Sequence, residues 1–176
     1  MPKHIPWPDI ESFHNARRRF QKFPEQLDDR RVTYRAKVKL HGTNAGVLVC
    51  ADGSVHAMSR TSVITSSNDN AGFARWVEEN TQSFSDVRGF RDFVVYGEWC
   101  GPGVQKGVAV CQIPQRVFAA FGIVTLSDDG QGFIDDPIII DQHVEGIPGT
   151  VTIPWYKDGM TFDVDWLASV EELEDV

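Results

Sequence analysis

Residues 32–60 read VTYRAKVKLHGTNAGVLVCADGSVHAMSR. Over 32–40 the stretch alternates: Val32, Tyr34, Ala36, Val38 and Leu40 are apolar, while Thr33, Arg35, Lys37 and Lys39 are polar. A period of two is that of a strand with one face in a core. The opposite face then presents a row of cations. Residues 44–50 and 54–60 read as two more strands joined by Ala51-Asp52-Gly53, because Asp-Gly is a strong hairpin signal.

Working outward, residues 93–99 (FVVYGEW) and 117–126 (VFAAFGIVTL) are nearly continuous apolar runs, as expected of strands covered on both faces. Residues 151–155 predict a short strand. Helices are predicted over 71–80, near 84–92 and, amphipathically, over 164–173. Residues 1–31 form a polar, proline-punctuated lead-in with a short helix over 10–20. Many strands with helices outside them predict an α+β fold of mostly antiparallel sheets with flanking helices. No linker separates two full domains, so the expected organisation is a lead-in, 1–31, packed on a domain spanning 32–176.

The chain has 176 residues, 41% apolar and 24% charged, ordinary values for a globular protein with its own core. No run reaches the ~20 apolar residues of a membrane helix, and the start lacks the features of a secretory signal. Cys50, Cys100 and Cys111 have no CxxC spacing, which disfavours a disulfide framework or zinc site and fits a reducing, cytoplasmic setting. HExxH is absent. Net charge is −8, which argues against coating nucleic acid by charge alone. Yet ten of the 17 basic residues fall within the first 39 positions, and 13 acids with one base follow position 126. This asymmetry directs any polyanion to the N-terminal half, unless both are simply solvated surfaces.

Lys39 ends the alternating run, and Gly42 follows three residues later. A glycine there permits a sharp turn and close approach of a ligand to the backbone. A lysine amine attacks phosphorus only when deprotonated, a state favoured by nearby cations or desolvation. Arg35 and Lys37 lie on the same predicted strand face, and Arg60 offers a third cation. On KxxG alone, a surface lysine before a turn remains the simpler account.

The full string KLHGTN at 39–44 resembles motif I of the covalent nucleotidyltransferases. Its form is that of the RNA ligases that seal nicks in duplex RNA, among them the bacteriophage double-strand RNA ligase and the trypanosome RNA-editing ligases. Ser59-Arg60-Thr61 resembles that family's motif Ia. Residues 96–106 (YGEWCGPGVQK) resemble motif III and the glycine-proline-glycine stretch after it, and residues 117–123 (VFAAFGI) resemble motif IIIa. The resemblance implies a nucleotidyltransferase (ATP-grasp-like ligase adenylation) architecture. It also implies ATP with Mg²⁺ or Mn²⁺ as cofactors, and RNA ends, nicked duplex favoured, as partners.

For individual residues, the resemblance implies that Lys39 forms a phosphoramidate bond to AMP as pyrophosphate leaves. His41 and Asn44 would lie near the triphosphate and metal, with Gly42 in the turn between them; the metal ligands themselves are unknown. Arg60 would fork onto phosphate or ribose oxygens, or else pair with a surface acid. Glu98 ends a buried strand, where an unpaired carboxylate is costly. A ribose hydroxyl would be its partner; a water-exposed strand end is the alternative. Phe118 would stack on adenine, although its apolar run equally suits core packing. The loop with Lys106 is not a Walker A sequence, and Lys106 is a candidate RNA contact.

The family also carries motif IV, an EGxV-like string that helps hold the metal, and motif V, a strand with phosphate-binding lysines. Glu145-Gly146-Ile147 has the letters of the first but comes too early. The chain is therefore expected to be a ligase fragment lacking motifs IV and V, incomplete at its C-terminus, and to adenylylate weakly on its own. A non-catalytic nucleotide- or RNA-end-binding module and a DNA ligase or capping-type transferase are the alternatives.

Overall fold

The computed structural model describes residues 2–9, 11–23, 25, 31–87 and 92–163. The predicted helix over 164–173 lies outside them. These residues divide into two compact units. One joins the N-terminal residues up to Trp7 with Val38–Pro154; the other joins Pro8–Lys37 with the chain from Trp155 onward. The division falls at Trp7 and Lys37 rather than at residue 31, so the beginning of the expected lead-in belongs with the main sheet.

The smaller unit contains helix α1 (Phe13–Lys22), with Ser12 accepting from Asn15 N–H as an N-cap, and strands β1 (Arg31–Lys37) and β9 (Trp155–Asp163) paired antiparallel. The expected strand over 32–40 is thus three residues too long. Its ladder ends at Lys37 opposite Trp155, and Val38 is 49% exposed rather than in a core. The alternation overran because polarity continues to alternate after the pairing partner has ended. Arg35 and Lys37 both lie over the Trp155 ring, 5.3 and 4.5 Å from its centroid.

The larger unit is built on a seven-stranded sheet. Its main path runs β4 (Val63–Ile64), β3 (Val55–Ser59), β2 (Thr43–Val49), β5 (Asp92–Cys100), β6 (Val117–Ser127) and β7 (Gly130–Ile134). The short β8 (Thr150–Thr152) pairs parallel to β6; the other pairings are antiparallel. The α+β class of mostly antiparallel sheets therefore holds. The expected 44–60 hairpin is present: Gly53 has φ +84°, and the Asp52 carboxylate accepts from Ser54 N–H.

One sheet face carries Val47, Val95, Trp99, Phe118 and Ile123 against three helices, α2 (Phe73–Glu79), α3 (Thr81–Ser85) and α4 (Pro137–Val144). Helix α2 starts where the Asp69 carboxylate accepts from the N–H groups of Ala74 and Arg75, satisfying donors that have no partner inside the helix. The second predicted helix, near 84–92, is displaced: α3 ends at Ser85, and Asp92 already begins β5. Helix α4 and the β6–β7 hairpin add to the expected elements. Asp136 caps α4 with proline at its first position, an ordinary helix start. The single strand predicted over 151–155 is split by Ile153-Pro154 into the end of β8 and the start of β9.

The opposite sheet face holds a smaller cluster of Leu48, Met58, Val94, Tyr96 and Val124, with Ile5, Trp7 and Phe121 packed against it. This second face also carries the candidate site.

Candidate active site

Three strand ends bring the predicted residues together. Asn44 near the start of β2 pairs directly with Glu98 near the end of β5, so their side chains are neighbours on one face. Arg60 follows β3 in a tight turn closed by Ser59 N–H donating to Ser62 C=O at 2.8 Å. Ser59 itself pairs with Ala45 on β2. Lys39 is exposed in the loop that leads into β2, two residues beyond β1 rather than at its last residue.

Glu98 is half-buried at the centre of this arrangement. Burial holds its carboxyl above the usual carboxylate range, against the pull of Lys39, of Arg60 and of a hydrogen bond from Gly42 N–H. Desolvation penalises the charged form, while neighbouring cations and donors favour it. The cations that pull on Glu98 include Lys39 and Arg60. Cys100, two residues along the same strand, is pushed up to about 11 by burial and by the Glu98 charge. This agrees with a packing role rather than a nucleophilic one.

Gly42 is required by close approach. A Cβ there would lie 2.5 Å from the Trp99 carbonyl oxygen and 2.7 Å from Cys100 Sγ. Gly42→Ala is expected to push the 38–42 loop off β5 and cost about 1–3 kcal/mol of stability. It also moves the amide that donates to Glu98. Thermal melting read beside nucleotide binding checks this, and a variant as stable and as tight-binding as the parent contradicts it.

Phe118 requires a correction. It pairs with Trp99, is wholly buried, and packs on Phe73 and Trp76 at centroid distances of 5.4 and 5.6 Å. This is the helix-covered face, opposite Glu98. The ring on the Glu98 face is Phe121. The β5–β6 register slips between Tyr96 opposite Gly122 and Gly97 opposite Ala120, leaving Phe121 as the extra residue of a bulge. Bulges bend the strand and re-aim a side chain, and Phe121 packs beside Tyr96 and Trp7. Alternation alone puts 118 and 121 on opposite faces, but only the cross-strand register tells which one faces Glu98.

His41 is exposed beside Gly42. Lys106 is exposed on the loop after β5, which is shaped by positive φ at Gly101, Gly103 and Gln105 and pinned by Arg116 Nε donating to Pro102 C=O at 2.9 Å. Glu145 is the exposed C-cap of α4. Among the described residues no group of three or more His, Cys, Asp or Glu side chains is arranged to hold a metal ion. No helix among them is long and apolar enough to cross a membrane.

What this face offers is a half-buried carboxylate, two cations, an amide donor and a planar ring. That set suits a polyphosphate joined to a sugar and a flat base. Residues 32–168 match the family model described as RNA ligase. Similar solved structures include variants of an RNA ligase from Naegleria gruberi. An apo form has TM-score 0.67 at 16% identity, and one with ATP and Mn has 0.67 at 15%. The form with pyrophosphate has 0.64 at 16%. Each match covers 97% of this chain and 47% of the other, so the chain spans about half the length of these structures and shares their fold.

Proposed function

The chain belongs to the RNA ligase family, and from that premise we propose that it carries the nucleotide-binding, lysine-adenylylating part of an ATP-dependent RNA ligase. The observation that carries this is Glu98, half-buried among Lys39, Arg60 and the Gly42 amide. A carboxylate held there against desolvation suits a partner that arrives with hydroxyl donors and several negative charges.

The roles follow from chemistry. Lys39 Nζ attacks the α-phosphorus of ATP; a P–N bond forms, the bond to pyrophosphate breaks, and the amine proton passes to solvent. Arg60 forks onto phosphate oxygens, Glu98 accepts from a ribose hydroxyl, and Phe121 takes the base-stacking role expected of Phe118. Asn44 and His41 stand toward the triphosphate, and Lys106 remains a candidate RNA contact. Mg²⁺ or Mn²⁺ bound with the nucleotide, on the side of Asn44 and His41, would offset the charge of the phosphates. The P–N bond to Lys39 then breaks as AMP passes to an RNA 5′-phosphate, and a 3′-hydroxyl attacks that phosphate, releasing AMP and losing its proton to solvent. Nicked duplex RNA is the favoured substrate through the KLHGTN and GPGVQK strings. The 47% coverage of the similar structures supports reading the chain as part of a longer protein of this kind.

Incubation of the protein carrying this chain with a divalent metal and ATP labelled at the α-phosphate is expected to leave label on the Lys39 peptide, and label at the γ-phosphate none. Reversible ATP binding with no adduct at any metal concentration would instead favour the binding-module alternative.

Glu98→Gln separates function from stability. The folded pKa of Glu98 lies above its unfolded value. The fold therefore prefers the protonated form, and stability is lost as pH rises through the folded pKa. The glutamine variant should melt no lower than the parent at neutral pH while its affinity for ATP falls about tenfold or more, the scale of one lost charged hydrogen bond. In the parent, ATP affinity should weaken on acidification at a higher pH than an ordinary glutamate would dictate. Parallel loss of melting temperature and binding would argue for a structural carboxylate.

A further inference from the structure

Residues 4–7 cross the sheet face that carries Glu98. His4 Nε2 is 3.1 Å from the Ser59 carbonyl oxygen, one residue before Arg60. The Ile5 carbonyl accepts from the Tyr96 hydroxyl. Trp7 lies against Gly122, where a Cβ would collide with its indole ring. The same ring meets Tyr96, Phe121 and Phe133 edge-to-face, at 5.3, 5.2 and 6.2 Å between centroids. The segment therefore spans from β3 over β5 to β6, fixed at both ends and in the middle.

Its level on the sheet matters. Glu98 pairs with Ala119, and two residues back Tyr96 pairs with Gly122, so the Trp7 row lies roughly 7 Å from the carboxylate along the strands. A nucleoside whose ribose meets Glu98 and whose base stacks on Phe121 extends over about that distance, and its base edge arrives at the indole.

We propose that Trp7 is the end wall of the base slot, a positioning residue that sets how far the base reaches from Glu98; this rests on the nucleotide reading above. Gly122 is the matching half of the device, because only a residue without a side chain leaves room for the ring. The wall is aromatic: the Tyr96 hydroxyl is turned to Ile5, and Gly122 brings no side chain of its own. The slot therefore selects a flat base chiefly by shape and stacking.

Two variants reach the wall from opposite sides. Trp7→Ala removes the ring, and Gly122→Ala displaces it while the tryptophan stays. In the protein carrying this chain, both are expected to weaken ATP binding about tenfold, the scale of one lost aromatic contact to a base. Affinity for inorganic tripolyphosphate, which has no base, should stay within twofold. Titrations of the two ligands with parent and variants, beside melting curves, provide the measurement. Equal losses for ATP and tripolyphosphate, or lowered melting with the affinity ratio unchanged, assign Trp7 to the fold and overturn the proposal. Tighter ATP binding in both variants also overturns it, making the segment an obstruction. A parent protein that binds tripolyphosphate no more weakly than ATP defeats the base slot itself. One that binds neither defeats the nucleotide reading on which the proposal stands.

Discussion

Replacing Lys39 with alanine is expected to reduce AMP transfer to the protein to background while leaving the fold intact. The side chain is exposed in the loop before β2, and exposed positions of this kind shift stability by only about 0.5 kcal/mol when truncated. The chemical consequence has no such cushion. A covalent route needs an atom that bonds phosphorus, and on the proposed reading a neighbouring charge such as Arg60 would stabilise the transfer without supplying that atom. Lys39→Arg sharpens the test. Arginine keeps a cation near Glu98, preserving the field that opposes the effect of burial there, yet a guanidinium stays protonated and does not attack. Both variants should bind ATP, and neither should hold label. Stoichiometric label on the alanine variant would show that the nucleophile is elsewhere.

What the sequence made legible here, and what it hid, follows from the range of the interactions involved. The 44–60 hairpin, the apolar strands β5 and β6 and helix α2 rest on local signals, alternation, Asp-Gly and apolar runs, and they stand close to where they were expected. The end of β1 was misplaced because its limit is set by β9, more than a hundred residues away in the chain. Lys39, Gly42, Arg60 and Glu98 were singled out from motifs, and in the structure Lys39, Arg60 and the Gly42 amide act on the Glu98 carboxyl; their roles belong to the proposal. Phe118 was misassigned because a bulge decides which ring faces the carboxylate, and a bulge is a property of two strands together. Trp7 was missed for a similar reason. Nothing in a polar lead-in announces that its tryptophan will cover a glycine 115 positions later.

The two phenylalanines of β6 should therefore part company when each is cut to alanine. Phe118 is wholly buried among Phe73, Trp76 and Trp99, so Phe118→Ala opens a cavity in the main core. The expected cost is about 3–5 kcal/mol. In a chain of this size that lowers the melting temperature by roughly 10 °C or more. Its effect on ATP affinity, measured well below the melting point, should be small, because the ring lies on the face opposite Glu98. Phe121 is only partly buried at the bulge, and Phe121→Ala should cost about 1–2 kcal/mol. It should nevertheless weaken ATP binding about tenfold, again with tripolyphosphate unaffected. Simple damage to a shared core would make the more destabilised variant the poorer binder. The arrangement of β6 requires the reverse order, and if Phe118→Ala lost ATP while Phe121→Ala kept it, the base would have to lie on the helix-covered side of the sheet.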